Sequence, residues 1–287
     1  NPGNWAVQVE ELSLDSCTFR FKGAENIPEE GHFDEKNFFI SGIQLAADEI
    51  KIKGDTLHGN INNLSAKERC GIVIRTLRSK VTVSPNASVC ENLYLETNYS
   101  KIKDYYAMHY LHFPAFNYYI DSVTMVAHLQ DATIDQRDIA FFAPQIKKLP
   151  DVVLKVNGNG RGTVADLNVK HLNVTDGSSI IKGNISMKGL PDINATQISF
   201  SDAEISTTGS ALLRYAPALK NDSTIAIDRL LYTYFKGNYE GTIENFTVKG
   251  VITTNLGNIT TNLKMEIPGF ESKKAIYSGS VTADNVQ

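Results

Sequence analysis

The 287-residue chain is poor in the residues and motifs from which active sites and cross-linked scaffolds are built. It has three cysteines, Cys17, Cys70 and Cys90. Three scattered thiols make neither a disulfide framework nor a zinc knuckle, and they read as small buried apolar side chains. No stretch approaches the roughly 18 consecutive apolar residues of a membrane-crossing helix, and no leader pattern opens the chain. There is no basic run and the net charge is −4, which argues against nucleic acid as a partner. No Gly-x-Ser-x-Gly elbow and no His-Glu-x-x-His pair occurs. Of the six histidines, only His109 and His112 in "AMHYLHF" are close. Three residues apart on a strand, they face opposite ways, whereas zinc needs three or four converging donors. Asp131, Asp135 and Asp138 cluster, but they precede a predicted helix and read as caps and dipole partners. "VNGNGRG" lacks the Gly-Lys-Ser/Thr ending of a phosphate loop, and a hairpin turn is the expectation there. These absences predict a protein that is not an enzyme and holds neither metal nor cofactor.

What the chain does have is alternation. In "NITTNLKMEI", Ile259, Leu263, Met265 and Ile267 share one face with Thr261, while Asn258, Asn262, Lys264 and Glu266 take the other. That is a strand with one apolar and one wet side. "SIIKGNISMKG" repeats the pattern with Ile181, Ile185 and Met187, and "DSVTMVAHLQ" with Val123, Met125 and Leu129. Turn signals such as Gly54-Asp55, Asp176-Gly177 and Pro268-Gly269 separate such runs at short intervals. Together they predict an all-β antiparallel meander. Nine Asn-x-Ser/Thr triplets are present (Asn63, Asn86, Asn98, Asn173, Asn184, Asn194, Asn221, Asn245 and Asn258). Several fall inside strand-like runs, so they read as the polar half of strands rather than as glycosylation sites.

Two segments interrupt the strands. Asp135 to Ile146 places Ile139, Phe142 and Ile146 at helical spacing, and Gly209 to Leu219 does the same with Leu212, Leu213 and Ala216. Both carry Ala-Pro, so short helices are expected. The segments belong to a repeat. "GTVADLNVKHL" from Gly162 answers "GTIENFTVKGV" from Gly241, pairing Leu167 with Phe246 and Val169 with Val248. Upstream, Asp131-Ala132-Thr133-Ile134 answers Asp202-Ala203-Glu204-Ile205, each taken as a strand end before a helix. Landmarks matching in order imply internal duplication, and stacked strand repeats imply an elongated body. Pattern alone leaves two arrangements open for the apolar faces: a closed sandwich, or an open groove holding an apolar ligand.

"WAVQVEELSLDSCTFRF" resembles a recurring strand pair of the large AsmA-like proteins. The segment carrying Ile61, Leu64, Ser65, Glu68, Gly71, Val73, Leu77, Leu93, Leu95, Thr97 and Ser100 resembles another recurring segment of that family. Tyr118 to Leu219 resembles the family's next segment, most closely in its TamB-like branch from Bacteroidota. The family's glycine-aromatic step reads Gly71-Ile72 here. The resemblance implies a half-open, taco-like β-groove across the periplasm, with the protein anchored in the inner membrane by a helix outside this segment. It also implies phospholipid transport towards the outer membrane, and outer-membrane protein assembly with a barrel partner reached through other regions. The abrupt opening, "NPGNWAVQVEEL", suits an internal piece of such a protein.

The expectation is therefore an elongated antiparallel repeating β-groove with short interrupting helices. Three units are expected, over 1–105, 106–190 and 191–287. The residues expected to line the groove against phospholipid acyl chains are Val123, Met125, Leu129, Leu167, Val169, Ile181, Ile185, Met187, Phe246, Val248, Ile259, Leu263 and Met265. The rival is a cell-surface adhesin or glycan-binding protein using "FNYYID" and "LLYTYF" as aromatic platforms.

Overall fold

A computed structural model describes residues 5–23, 30–34, 36–148, 151–215, 227–270 and 275–284. It is all-β. Fifteen strands follow one another in a single open antiparallel sheet in chain order, without a crossover. They are β1 (Ala6–Lys22), β2 (Asn37–Lys53), β3 (Thr56–Glu68), β4 (Val73–Ser84), β5 (Ala87–Glu96), β6 (Lys101–His109), β7 (Thr124–Asp135), β8 (Val153–Gly162), β9 (Asp166–Thr175), β10 (Ile180–Lys188), β11 (Gln197–Thr207), β12 (Thr233–Gly241), β13 (Asn245–Thr254), β14 (Gly257–Glu266) and β15 (Ile276–Asp284). The helices are short: α1 (Tyr119–Ser122), α2 (Gln136–Ile139) and α3 (Gly209–Tyr215). The contacts group into two units, one of Asn1–Tyr118 with Ser122–Val156, the other of Tyr119–Asp121 with Asn157–Gln287.

The strands are not uniform ribbons. Seven non-glycine residues in the strands take positive φ, Asp104 at 97° and six between 49° and 56°: Ser16, Glu49, Asn92, Asp131, His171 and Asp202. Each of the six is the second of two polar residues wedged between apolar ones, as in Leu129-Gln130-Asp131-Ala132 and Phe200-Ser201-Asp202-Ala203. Register shifts fall at each, for example between Cys90 and Leu93 and between Leu14 and Cys17. These are β-bulges. They bend the strand and raise its twist, and the extra residue returns the apolar side chains to the same face after the polar pair. The Asp-Ala-x-Ile motif thus closes β7 and β11 before a helix, as expected, and its aspartate is in addition a bulge. Its alanines, Ala132 and Ala203, are fully buried.

"VNGNGRG" also differs from expectation, since it lies within β8 rather than in a hairpin. Gly158 runs close over β9, where an added Cβ would stand 3.4 Å from both the Leu172 backbone and Val169. The Gly-Thr pairs close the β8–β9 and β12–β13 connections identically. The Thr163 and Thr242 hydroxyls accept the Asp166 and Asn245 N–H groups at 3.1 and 3.0 Å. A Cβ on Gly162 or Gly241 would collide with the carbonyl of Asp166 or Asn245, at 2.0 and 2.2 Å. Only glycine fits the turn, and this is what the copied sequence encodes.

The two helical segments are slighter than the spacing suggests. The first is the four residues of α2, capped by Asp135 through the Arg137 N–H, followed by a 3₁₀ turn at Pro144–Lys148. Its expected apolar stripe stays partly in solvent, with Ile139 and Phe142 exposed. The second is α3; residues 216–219 of the expectation lie outside the described residues. Its Tyr215 hydroxyl donates to Asp176 in the β9–β10 turn.

Candidate functional site

With no second sheet among the described residues, the apolar face is the feature to explain. Among the described residues the strands form one sheet, and the apolar residues of its rows are half-buried or exposed rather than buried, as expected when no second sheet closes over them. Residues directly opposite one another in an antiparallel ladder share a face, and the register therefore assembles the face row by row.

In the second unit three rows cross β9 to β15. The first runs Leu167, Met187, Ile198, Gly241, Phe246, Met265 and Tyr277. The second runs Val169, Ile185, Phe200, Tyr239, Val248, Leu263 and Gly279. The third runs Val174, Ile181, Ile205, Phe235, Ile252, Ile259 and Ala283. All ten wall residues expected between Leu167 and Met265 fall in these rows, and every one is half-buried. The duplicated motif is in register with itself, because Leu167 and Phe246 occupy one row and Val169 and Val248 the next. Where a row meets glycine, aromatic rings fill in. The Tyr239 and Phe246 rings stack at 5.0 Å beside Gly241, and Phe235 covers Gly237 and Gly250, whose added Cβ atoms would come within 2.7 and 2.8 Å of its ring. The Tyr239 hydroxyl stays on this face by donating to the Thr242 carbonyl at 2.7 Å, and burial pushes its pKa up.

The first unit has its own rows. One runs Leu14, Leu45, Leu64, Leu77, Leu95 and Ile102 across β1 to β6. Another runs Val7, Ile52, Leu57, Val83, Ser88, Met108 and Met125 across β1 to β7. Met125 therefore lies in a row, Leu129 pairs with Asp104, and Val123 is fully buried just before β7. The strands β1 to β4 and the connection between β3 and β4 border a half-open hollow of about 350 Å³ lined by Phe19, Ile40, Ile43, Leu64, Ala66, Glu68, Ile72 and Ile74. Glu68 is the polar member of this lining. Burial would raise its pKa, but hydrogen bonds from Cys70 and from the Phe39 N–H outweigh that and hold it down.

Sequence reasoning missed the β1–β6 rows, Ile198, Phe200, Phe235, Tyr239 and Ile252. Cross-strand register brings them in; Phe200, Phe235 and Tyr239 had a further signal, being large residues at alternating positions beside glycine-containing strands.

The opposite face is polar. Asp48 accepts from Asn60 and Asn62 at 2.9 and 2.6 Å, and these bonds lower its pKa. Lys236 donates to Glu204 at 3.0 Å and lowers the Glu204 pKa. Asn184 donates to Asp202 at 3.2 Å. The clustered aspartates separate into different tasks: Asp131 forms a bulge, Asp135 caps α2, and Asp138 accepts from the Thr97 hydroxyl at 2.6 Å. His109 ends β6, and His112 lies outside that strand. No group of three or more metal-ligating side chains occurs among the described residues. No helix among them is long and apolar enough to cross a membrane. Compared with protein-family models, curated proteins and solved structures, the chain matches none of them.

Proposed function

We propose that this chain is a non-enzymatic segment of an AsmA-like or TamB-like protein of the periplasm, whose apolar face carries phospholipid acyl chains between the inner and outer membranes. The observation behind this reading is the pattern of half-buried apolar rows crossing successive strands, with no second layer against them among the described residues. Strands lie about 4.8 Å apart, so a row over seven strands runs roughly 29 Å. One leaflet of a bilayer has about 15 Å of hydrocarbon depth. A row is thus long enough for a lipid tail to lie along it, and each methylene taken from water is worth about 0.8 kcal/mol. Such binding needs no directional polar contact, which suits a face whose rows hold few polar groups. Anchoring by a helix and assembly of outer-membrane proteins with a barrel partner belong to regions outside this segment.

The test is to purify the segment from a Gram-negative envelope and identify bound phospholipid by mass spectrometry. A photo-crosslinking residue is then placed at Met187 or Leu263 on the apolar face, and at Lys188 or Lys264 on the other. Lipid adducts at the first pair alone are expected. Equal labelling of both faces, or none on a folded protein, defeats the reading. Labelling by glycans through Tyr118 or Tyr232, both exposed, would favour the adhesin instead.

A further inference from the structure

We propose that residues 136–147 form a strap that undocks as one body and gates the apolar hollow of the first unit. That an acyl chain enters the hollow rests on the function proposed above; the movement of the strap does not.

Beginning beyond β7, the strap touches one inter-strand connection after another, back towards the chain's first hairpin. Asp138 Oδ2 accepts the Thr97 hydroxyl at 2.6 Å and the Tyr99 N–H at 3.2 Å, both in the β5–β6 connection. Phe141 lies against Gly71 in the β3–β4 connection, where an added Cβ would stand 3.3 Å from its ring. The Phe141 carbonyl accepts the Phe33 N–H at 2.8 Å, and the Phe142 and Phe33 rings meet at 5.4 Å, in the β1–β2 connection. The strap thus spans the ends of the strands that form the hollow. Its contacts continue into the lining: Phe33 stacks on Phe38 at 6.3 Å, and Phe38 packs on Phe19 at 5.8 Å. Gly71 is followed directly by Ile72, which lines the hollow.

The strap is fastened unevenly. Gln136, Asp138 and Ala140 are buried, and the Arg137 guanidinium lies 3.7 Å from the centre of the Tyr99 ring. The strap's larger apolar side chains hold less well, with Ile139 and Phe142 37% and 58% exposed. Among the described residues the buried Asp138 Oδ1 has no hydrogen-bond partner. A buried acceptor left unpaired penalises the docked state. Surface segments of this kind open locally without unfolding the rest.

Two amides report docking directly, because Phe33 and Tyr99 donate to the strap. Amide exchange on the full chain should show both exchanging together, at least tenfold faster than amides within β3 to β5. Phe142 touches Phe33 and is largely exposed, so Phe142→Ala should leave the sheet amides unchanged. It should nonetheless accelerate both reporters about tenfold, including Tyr99 at the other end of the strap. Acceleration at Phe33 alone, or exchange of both reporters at the sheet's rate, overturns undocking as one body. For the gate, association of a fluorescent fatty acid with the full chain is timed by stopped flow. Phe142→Ala should raise its rate about fivefold. Equal rates in the two proteins overturn gating. Binding to neither protein removes the acyl-chain reading and the gate with it, while the exchange data still decide the movement.

Discussion

Leu263 and Ile227 lose the same three carbons on substitution by alanine, and the structure assigns the two losses different costs. Ile227 is 6% exposed in a short turn of helix against Gly209. Removing three buried carbons costs about 2.4 kcal/mol at 0.8 kcal/mol each, and the unfilled space raises this to about 3 kcal/mol. Leu263 is half-buried between Val248 and Gly279, with no layer opposite among the described residues. Its truncation forfeits only part of the transfer energy and leaves no enclosed void, so about 1.5 kcal/mol is expected. Both residues lie in the second unit, so one unfolding transition reads both. Urea titration by circular dichroism, with the slope held common, gives the two values. Equal costs near 3 kcal/mol would refute the single-layer reasoning, because they would require Leu263 to face a packed core.

Three further outcomes are expected. Gly250→Val should destabilise the second unit by about 2–3 kcal/mol in the same titration, since even a Cβ there would sit 2.4 Å from the Lys236 carbonyl. Asp202→Gly should be neutral or stabilising by up to about 1 kcal/mol, and Asp202→Val destabilising by about 1–2 kcal/mol, because φ is 51° at this bulge. Asp176 governs a pH response. Burial would raise its pKa, but hydrogen bonds from Tyr215 and from the Ser179 and Ser178 N–H groups bring it down to about 2 from an ordinary 3.8. A depressed carboxylate stabilises the fold above its unfolded value, so about 2 kcal/mol should be present above pH 4 and lost as pH falls from about 4 to 2. Asp176→Asn should flatten that part of a stability-versus-pH curve.

Much of the fold was legible because alternation is a local signal. Ile259, Leu263 and Met265 state their face without knowing their partners. The Gly-Thr turns were visible as a repeat, although their geometry was not: it depends on a carbonyl four residues away. The bulges were not legible by strict period two. In β7 the count runs Met125, Leu129 and then fails, because Asp131 adds a residue and Ala132 takes up the face. The signal that could have found them is the recurring step of two polar residues between apolar ones inside a strand. The first helical segment misled for the opposite reason: Ile139, Phe142 and Ile146 are spaced for a helix, but the chain there is committed to reaching the turns at Thr97, Gly71 and Phe33. The composition of the rows was only half legible, since which strand lies beside which is a property of register.

The order of the strands has a consequence for how such a chain is built and altered. Every strand's neighbours in the sheet are the one just made and the one about to be made. Pairing never waits for a distant segment, so each hairpin can close soon after it emerges, and low sequence separation favours rapid assembly. Lengthening is equally simple. Inserting or removing two strands restores the alternation of direction on both sides of the change, whereas a single strand would not. The step from β7 to its counterpart β11 is four strands, an even number. A gene encoding this topology can therefore be extended by copying, with no rethreading of what already exists.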